Sequence, residues 1–256
     1  GVNRLSIGVQ SFNNDELNVL GRIHTPAEAA ESAEMARAAG FANCNIDLIY
    51  GIPGQTPETW QSTLEQAVGM EPKHISAYCL TIHPHTPIAA DIKSGRLSLP
   101  PEEETAELYL QAADLLTGSG YTHYEVSNFS RPGFRCRHNM DCWHRIPYLG
   151  LGPSAHSWAG SRRSWNIADL KGYISCLRKG GLPLAGEEEI GPDRSRLERI
   201  DLGLRLAEGI PLGLAAEKKD VLDILVREKL AAVSEDRIRL TAKGFLVADE
   251  ISGLLS

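Results

Sequence analysis

Three polar side chains and one dense cluster carry most of the chemistry that this sequence offers. In Arg4-Leu5-Ser6-Ile7-Gly8-Val9-Gln10, apolar residues alternate with small or polar ones. A strand here puts Ser6, Gly8 and Gln10 on one face and Leu5, Ile7 and Val9 on the other. From Asn45 to Tyr50 the same rule places Asn45 and Asp47 on a face with Ile49. An Asp inside a parallel strand is costly unless it is paired or solvated. Polar residues facing the lumen of a parallel barrel near strand C-termini are where a ligand sits. The plainer alternative is that Gln10 and Asp47 bond to neighbouring loops. Arg22, two residues before His24, suits bidentate pairing with a carboxylate, or is a solvated loop arginine.

The cluster is Cys136-Arg137-His138-Asn139-Met140-Asp141-Cys142-Trp143-His144. Structural zinc wants cysteines two to four residues apart and a second pair elsewhere, and these cysteines are six positions apart with no partner pair. A haem iron can be held by a single His or Cys with aromatic packing on the macrocycle. That reading competes with an ordinary packed segment. His74, His83, His85 and His123 have no ligand-like spacing and read mostly as surface or turn residues. Asp47 to Gly54 lacks the glycine spacing and Lys-Ser/Thr of a phosphate loop.

The elements that must position these residues repeat a strand–helix cadence. Thr25-Pro26-Ala27-Glu28 reads as a capping box opening an alanine-rich helix that runs to Gly40. Asn45 to Tyr50 is a strand, Pro57 to about Gly69 a helix containing Trp60, and His74 to Thr81 a third strand. Units of this length imply βαβ connections and a parallel sheet. An acidic first turn opens a helix from about Pro101 to Thr117, where the helix dipole favours negative charge. Tyr121 to Phe129 reads as a further strand. Arg131 to Trp165 shows no clear period, and Gly186 to Pro192 reads as a linker. Beyond it come helices at about Arg194–Ala207 and Lys219–Lys229, a hairpin turning at Glu235-Asp236, and a last helix capped by Thr241. This order suggests a winged-helix-like module.

Composition narrows the class. The 256 residues are 42% hydrophobic with a formal charge of −7, which disfavours wholesale binding to nucleic-acid phosphates. From Arg194 onward eleven basic residues meet eleven acidic ones, so the tail carries no basic excess for DNA. No apolar run approaches the roughly 18 residues of a bilayer span. Five scattered cysteines (Cys44, Cys79, Cys136, Cys142, Cys176) fit reduced thiols and a cytoplasmic setting.

Together these segments carry a resemblance. RLSIGVQSF (Arg4–Phe12), LGRIH (Leu20–His24) and NIDLIYGIP (Asn45–Pro53) resemble the radical S-adenosylmethionine proteins around oxygen-independent coproporphyrinogen III oxidase. HISAYCLT (His74–Thr81), YEVSNF (Tyr124–Phe129) and YLGLGPSAHSW (Tyr148–Trp158) narrow it to the HemW haem chaperone family. The resemblance spans nearly the whole chain. It implies that Gln10 and Asp47 bond the ribose of S-adenosylmethionine and that Arg22 pairs with its carboxylate. It also implies haem binding near His138 and Trp143, with His138 as candidate iron ligand. The family's His-Asn-x-x-Tyr-Trp segment has Cys142 here in place of Tyr, which makes Cys142 a rival ligand.

The implied function is binding haem and transferring it to an acceptor protein. The alternatives are coproporphyrinogen III oxidation, with hydrogen abstraction from propionates, and a weaker one, DNA binding by the tail. The expected fold is the C-terminal portion of a partial radical-SAM (β/α) barrel over residues 1–120. An irregular family-specific segment follows over 121–189, then a small helical module over 190–256. N-terminal strands are expected to be missing, and the exposed edge of the first strand to be covered by a second copy, as in a homodimer, or by other protein. The family's Cys-x-x-x-Cys-x-x-Cys loop for a [4Fe–4S] cluster does not occur in this sequence. Anaerobic iron–sulfur reconstitution of the chain is therefore expected to give no stoichiometric cluster and no radical chemistry. A stoichiometric cluster held by its own five cysteines overturns that expectation.

Overall fold

The alternation at the start of the chain does form a strand, β1 (Leu5–Gln10), and it is the first of three that run parallel. The protein's structure is a computed structural model that describes residues 1–234 and 236–256. These fall into two units, 1–135 and 136–256.

In the first unit β1 is followed by α1 (Asn14–Val19), α2 (Pro26–Ala38), β2 (Cys44–Tyr50), α3 (Pro57–Gly69) and β3 (His74–Cys79). Then come α4 (Pro87–Lys93), α5 (Glu102–Gly118), β4 (Thr122–Glu125) and β5 (Asn128–Ser130). The sheet order is β1-β2-β3-β5-β4. One face is apolar: Ile46, Leu48, Ile75 and Ala77 are buried with Trp60 and Leu64 of α3 and Leu108, Ala112 and Leu116 of α5. Trp60 donates its indole N–H to the Leu108 carbonyl at 2.9 Å, tying α3 to α5. The capping box at Thr25 forms as expected, with Glu28 closing it.

The sheet is not wholly parallel. Tyr121 to Phe129, expected as one strand, is a hairpin of β4 and β5, and β5 lies antiparallel to β3. Only Val126 and Ser127 separate the two strands, and so short a link permits only antiparallel pairing. This hairpin brings residues beyond 120 into the first sheet, so the unit ends at Arg135 rather than at the expected 120.

Helix α1 was not anticipated. Asn13 caps it by accepting from the Asp15 and Glu16 amides. Its Glu16 is buried, and the carboxylate accepts from Ser11 Oγ, Thr59 Oγ1 (2.7 Å) and Gln55 Nε2 (3.0 Å).

The second unit contains α6 (Arg137–Trp143), β6 (His156–Ala159), β7 (Arg162–Asn166), α7 (Leu170–Arg178), β8 (Leu184–Glu189) and α8 (Pro192–Leu204). They are followed by β9 (Ile210–Pro211), α9 (Lys219–Arg227), β10 (Ala231–Ser234), β11 (Arg237–Leu240), α10 (Ala242–Phe245) and α11 (Ala248–Leu255). The stretch expected to be irregular thus holds a helix and the antiparallel sheet β6-β7-β8. The expected linker at Gly186 to Pro192 is largely strand β8. Its glutamates are paired: Glu187 with Arg162, and Glu188 with Arg163 (3.0 Å) and Arg194 (2.7 Å). Arg163 also reaches Glu198 of α8 at 3.0 Å.

The tail follows the expected order of helices, hairpin and final helix, with a second sheet β10-β11-β9. Thr241 caps α10 through the Gly244 amide at 3.0 Å. Of the expected turn at Glu235-Asp236, Glu235 lies outside the described residues. Among the described residues no helix is long and apolar enough to cross a membrane.

Glu16→Ala leaves three donors without their shared acceptor, at a cost of about 2–4 kcal/mol. The expected result is a thermal midpoint lowered by several degrees, with Glu16→Gln losing less. Equal midpoints for all three proteins show the carboxylate to be unimportant to the fold.

Candidate functional site

On the face of β1–β3 opposite the helices, polar residues line up in rows across the strands. Ser6 pairs in register with Asn45 and Asn45 with His74; Gly8 pairs with Asp47 and Asp47 with Ser76. Asp47 is half-buried, and its two oxygens accept from Ser6 Oγ (2.8 Å) and Asn45 Nδ2 (2.7 Å). Each carboxylate oxygen has a second lone pair, so Asp47 keeps acceptor capacity for a ligand hydroxyl.

Gln10 owes its position to a break in the ladder. The register shifts between Gly8 and Gln10, and Gln10 adopts φ +68°, a strained conformation for a side-chain-bearing residue. Its amide folds back over Gly8: a Cβ there would stand 2.7 Å from Gln10 Nε2. Arg22 is set by the end of α1, where its amide donates to the Leu17 carbonyl at 2.9 Å after Gly21 turns with φ +65°. His24 Nε2 donates to the Val9 carbonyl at 3.1 Å and returns this loop to β1.

These placements meet in one cavity of about 900 Å³ at the C-terminal ends of β1–β3, whose lining includes Ser6, Gln10, Arg22, Asp47, Tyr78 and Thr81. Ligands of parallel α/β sheets bind at this end of the strands. A cavity of about 520 Å³ near the other ends is lined by Cys44 and Lys73 and holds none of the three expected residues. The donor set fits S-adenosylmethionine: an exposed guanidinium for its carboxylate, and an acceptor with free lone pairs for its ribose hydroxyls.

Two histidines expected at the surface are inside. His74 is fully buried, 2.6 Å from Asn45 Oδ1 through Nδ1 and 2.7 Å from the Tyr124 hydroxyl through Nε2. His123 stacks on Phe129 with ring centroids 4.2 Å apart. Burial drives His74 down to about 3, helped by Arg4, and His123 down to about 4. The period-two pattern His74-Ser76-Tyr78 was the signal that His74 continues the polar face.

The cysteine–histidine cluster is helical. On α6, residues four apart share a face, so His138 lies beside Cys142, with Nε2 4.0 Å from Sγ. Trp143, expected to share a macrocycle with His138, is turned about 140° away around the helix. Asn139 accepts from the Cys136 thiol at 3.3 Å. Burial, with Asp141 beside it, pushes the Cys142 thiol up. The exposed His138 imidazole therefore fits a haem iron better than the neighbouring thiol.

A sequence profile of the radical SAM superfamily matches residues 1–67. The haem chaperone HemW of Bacillus subtilis is 35% identical over 99% of this chain and 69% of its own length. That of Mycobacterium tuberculosis is 36% identical over 98% of this chain and 65% of its own. The chain belongs to the HemW family. It spans about two thirds of the length of these HemW relatives. The structure of coproporphyrinogen III oxidase (HemN) from Escherichia coli, described as a radical SAM enzyme, superposes with a TM-score of 0.78 at 26% identity. That match covers all of this chain and 64% of that one. The fold is thus the α/β arrangement of HemW and HemN, with a mixed sheet. The HemW family implies S-adenosylmethionine, a [4Fe–4S] cluster and haem.

The buried imidazoles give a signed pH dependence. A histidine held below its unfolded value is neutral in the native state and protonated on unfolding, so its contribution is complete above about pH 6.5. It is lost as pH falls toward 4. The thermal midpoint is expected to fall across that window, and His123→Phe, which keeps the stack on Phe129, to fall less steeply. Superimposable pH profiles exclude a contribution from His123.

Proposed function

We propose that this protein is a haem chaperone, which binds haem and passes it to an acceptor protein, with S-adenosylmethionine seated in the β1–β3 cleft. The observation that carries the reading is 35–36% identity to haem chaperones along 98–99% of the chain. In the cleft, Arg22 would hold the ligand's carboxylate, and Asp47 with Gln10 its ribose. His138 would ligate the haem iron from the exposed face of α6, with Cys142 as the competing donor. Trp143 then supports α6 rather than plating the same porphyrin face. The acceptor is a protein able to take a haem handed over at an exposed surface, and the compartment in keeping with reduced thiols is the cytoplasm.

The family's cluster supplies an electron to S-adenosylmethionine when bound. Among the described residues no three His, Cys, Asp or Glu side chains lie together to hold a metal ion. The oxidase alternative is supported by the HemN fold match alone, at lower identity than the chaperones. Binding to DNA has the balanced charge of the tail against it.

Haem titration of the wild-type chain, followed at the Soret band, tests the ligand. His138→Ala is expected to shift the band and weaken binding about tenfold, with Cys142→Ala within about twofold of wild type. If both variants match wild type in affinity and spectrum, α6 is structural and the haem reading loses its local support.

A further inference from the structure

We infer that Asn45, His74 and Tyr124 form a positioning chain that aims the Asp47 carboxylate into the cleft and tunes affinity for a ligand's ribose hydroxyls. The inference rests on the reading of the cleft as an S-adenosylmethionine site. It concerns residues behind the cleft wall, none of which lines it.

The direction of every hydrogen bond in the chain follows from its end. An ionised carboxylate only accepts, so the group that Asn45 turns to Asp47 must be its amide nitrogen. The Asn45 Oδ1 then faces His74 Nδ1 at 2.6 Å, so this nitrogen carries the ring proton. Burial keeps the imidazole neutral, which leaves Nε2 bare to accept the Tyr124 O–H at 2.7 Å. The same Asn45 nitrogen donates to Ser6 Oγ at 2.6 Å, which frees the Ser6 proton for the second Asp47 oxygen at 2.8 Å. Both carboxylate oxygens are thus met through one amide, oriented by the carboxylate at one end and supported by the His74 N–H at the other, with Ser76 Oγ beside it. Tyr124 and His74 are 1% and 0% exposed, so water cannot take over either role.

Removing the Tyr124 hydroxyl undoes the order from the far end. With no donor at Nε2, the buried ring loses one of the two bonds that fix it, and its Nδ1–H is no longer held in line with the Asn45 carbonyl. The Asn45 nitrogen still faces the carboxylate, but the amide has lost the fixed support behind its oxygen, so the donors that meet Asp47 are held less firmly. The aim of Asp47 changes although no residue of the cleft has been altered.

The test is calorimetric titration of the full chain with S-adenosylhomocysteine and with its analogue lacking both ribose hydroxyls. Tyr124→Phe is expected to lower affinity for the first about three- to tenfold and to leave the second unchanged. His74→Phe should do the same. Leu64→Ala, a core change in α3 remote from the chain, serves as a control that loses thermal stability but keeps both affinities. Wild-type affinity in Tyr124→Phe and His74→Phe, or equal losses for both ligands, overturns the positioning role and leaves the cleft reading standing. Failure of the wild-type chain to bind S-adenosylhomocysteine, or full affinity in Asp47→Asn, overturns the cleft reading itself and this inference with it.

Discussion

An acidic side chain on an internal strand must be met by donors, and the first unit is arranged around meeting Asp47. A parallel sheet is buried on both faces, which normally makes both apolar. Here one face packs against α3 and α5 in the usual way, while the other is held together by side-chain hydrogen bonds between neighbouring strands. Such a face works only if each group finds a partner of opposite kind, because a half-satisfied buried network costs more than an apolar one. Ser6, Asn45, Ser76 and His74 supply those partners in register. Strand order and register are therefore conditions for the site.

What the sequence disclosed followed this division between local and non-local causes. Period-two alternation showed the three strands and placed Ser6, Asn45 and Asp47 on their shared face, because strand periodicity is a property of neighbouring residues; Gln10 reaches the cleft through a bulge that the alternation did not show. Capping at Thr25 was legible for the same reason. The burial of His74 was not, although its face was, since that burial depends on lying beside Asn45 in space, twenty-nine residues away in the chain. Strand β8 was hidden likewise: a run of glutamates looks solvated until Arg162, Arg163 and Arg194 are brought to it. Helix α1 escaped because six residues give too little period, although Asn13 followed three positions later by Glu16 is a capping pattern.

The cysteine–histidine segment shows a different way in which spacing misleads. Counted along an irregular chain, His138 and Trp143 are near neighbours and suggest a ligand beside a stacking plate. Wound as a helix, five residues make nearly a turn and a half, and the pair separates onto different faces. Cys142 takes the place beside His138. The Cys142 sulfur lies 4.0 Å from the imidazole, and its burial and the adjacent Asp141 hold it as a thiol.

The cleft is built from two structures that carry their strain separately. Gln10 and Asp47 are fixed by the sheet, one by a bulge and a left-handed backbone, the other by the side-chain network. Arg22 is fixed by α1, whose attachment runs through buried Glu16 to Ser11, Gln55 and Thr59. The Asp47 carboxylate and the Arg22 guanidinium thus answer to different parts of the fold. A loss in the Glu16 cluster loosens the guanidinium and leaves Asp47 aimed. A loss in the Asn45–His74–Tyr124 chain disturbs Asp47 and leaves Arg22 in place. Because both groups line one cavity, its shape depends on the relative placement of α1 and the sheet, which neither group reports alone.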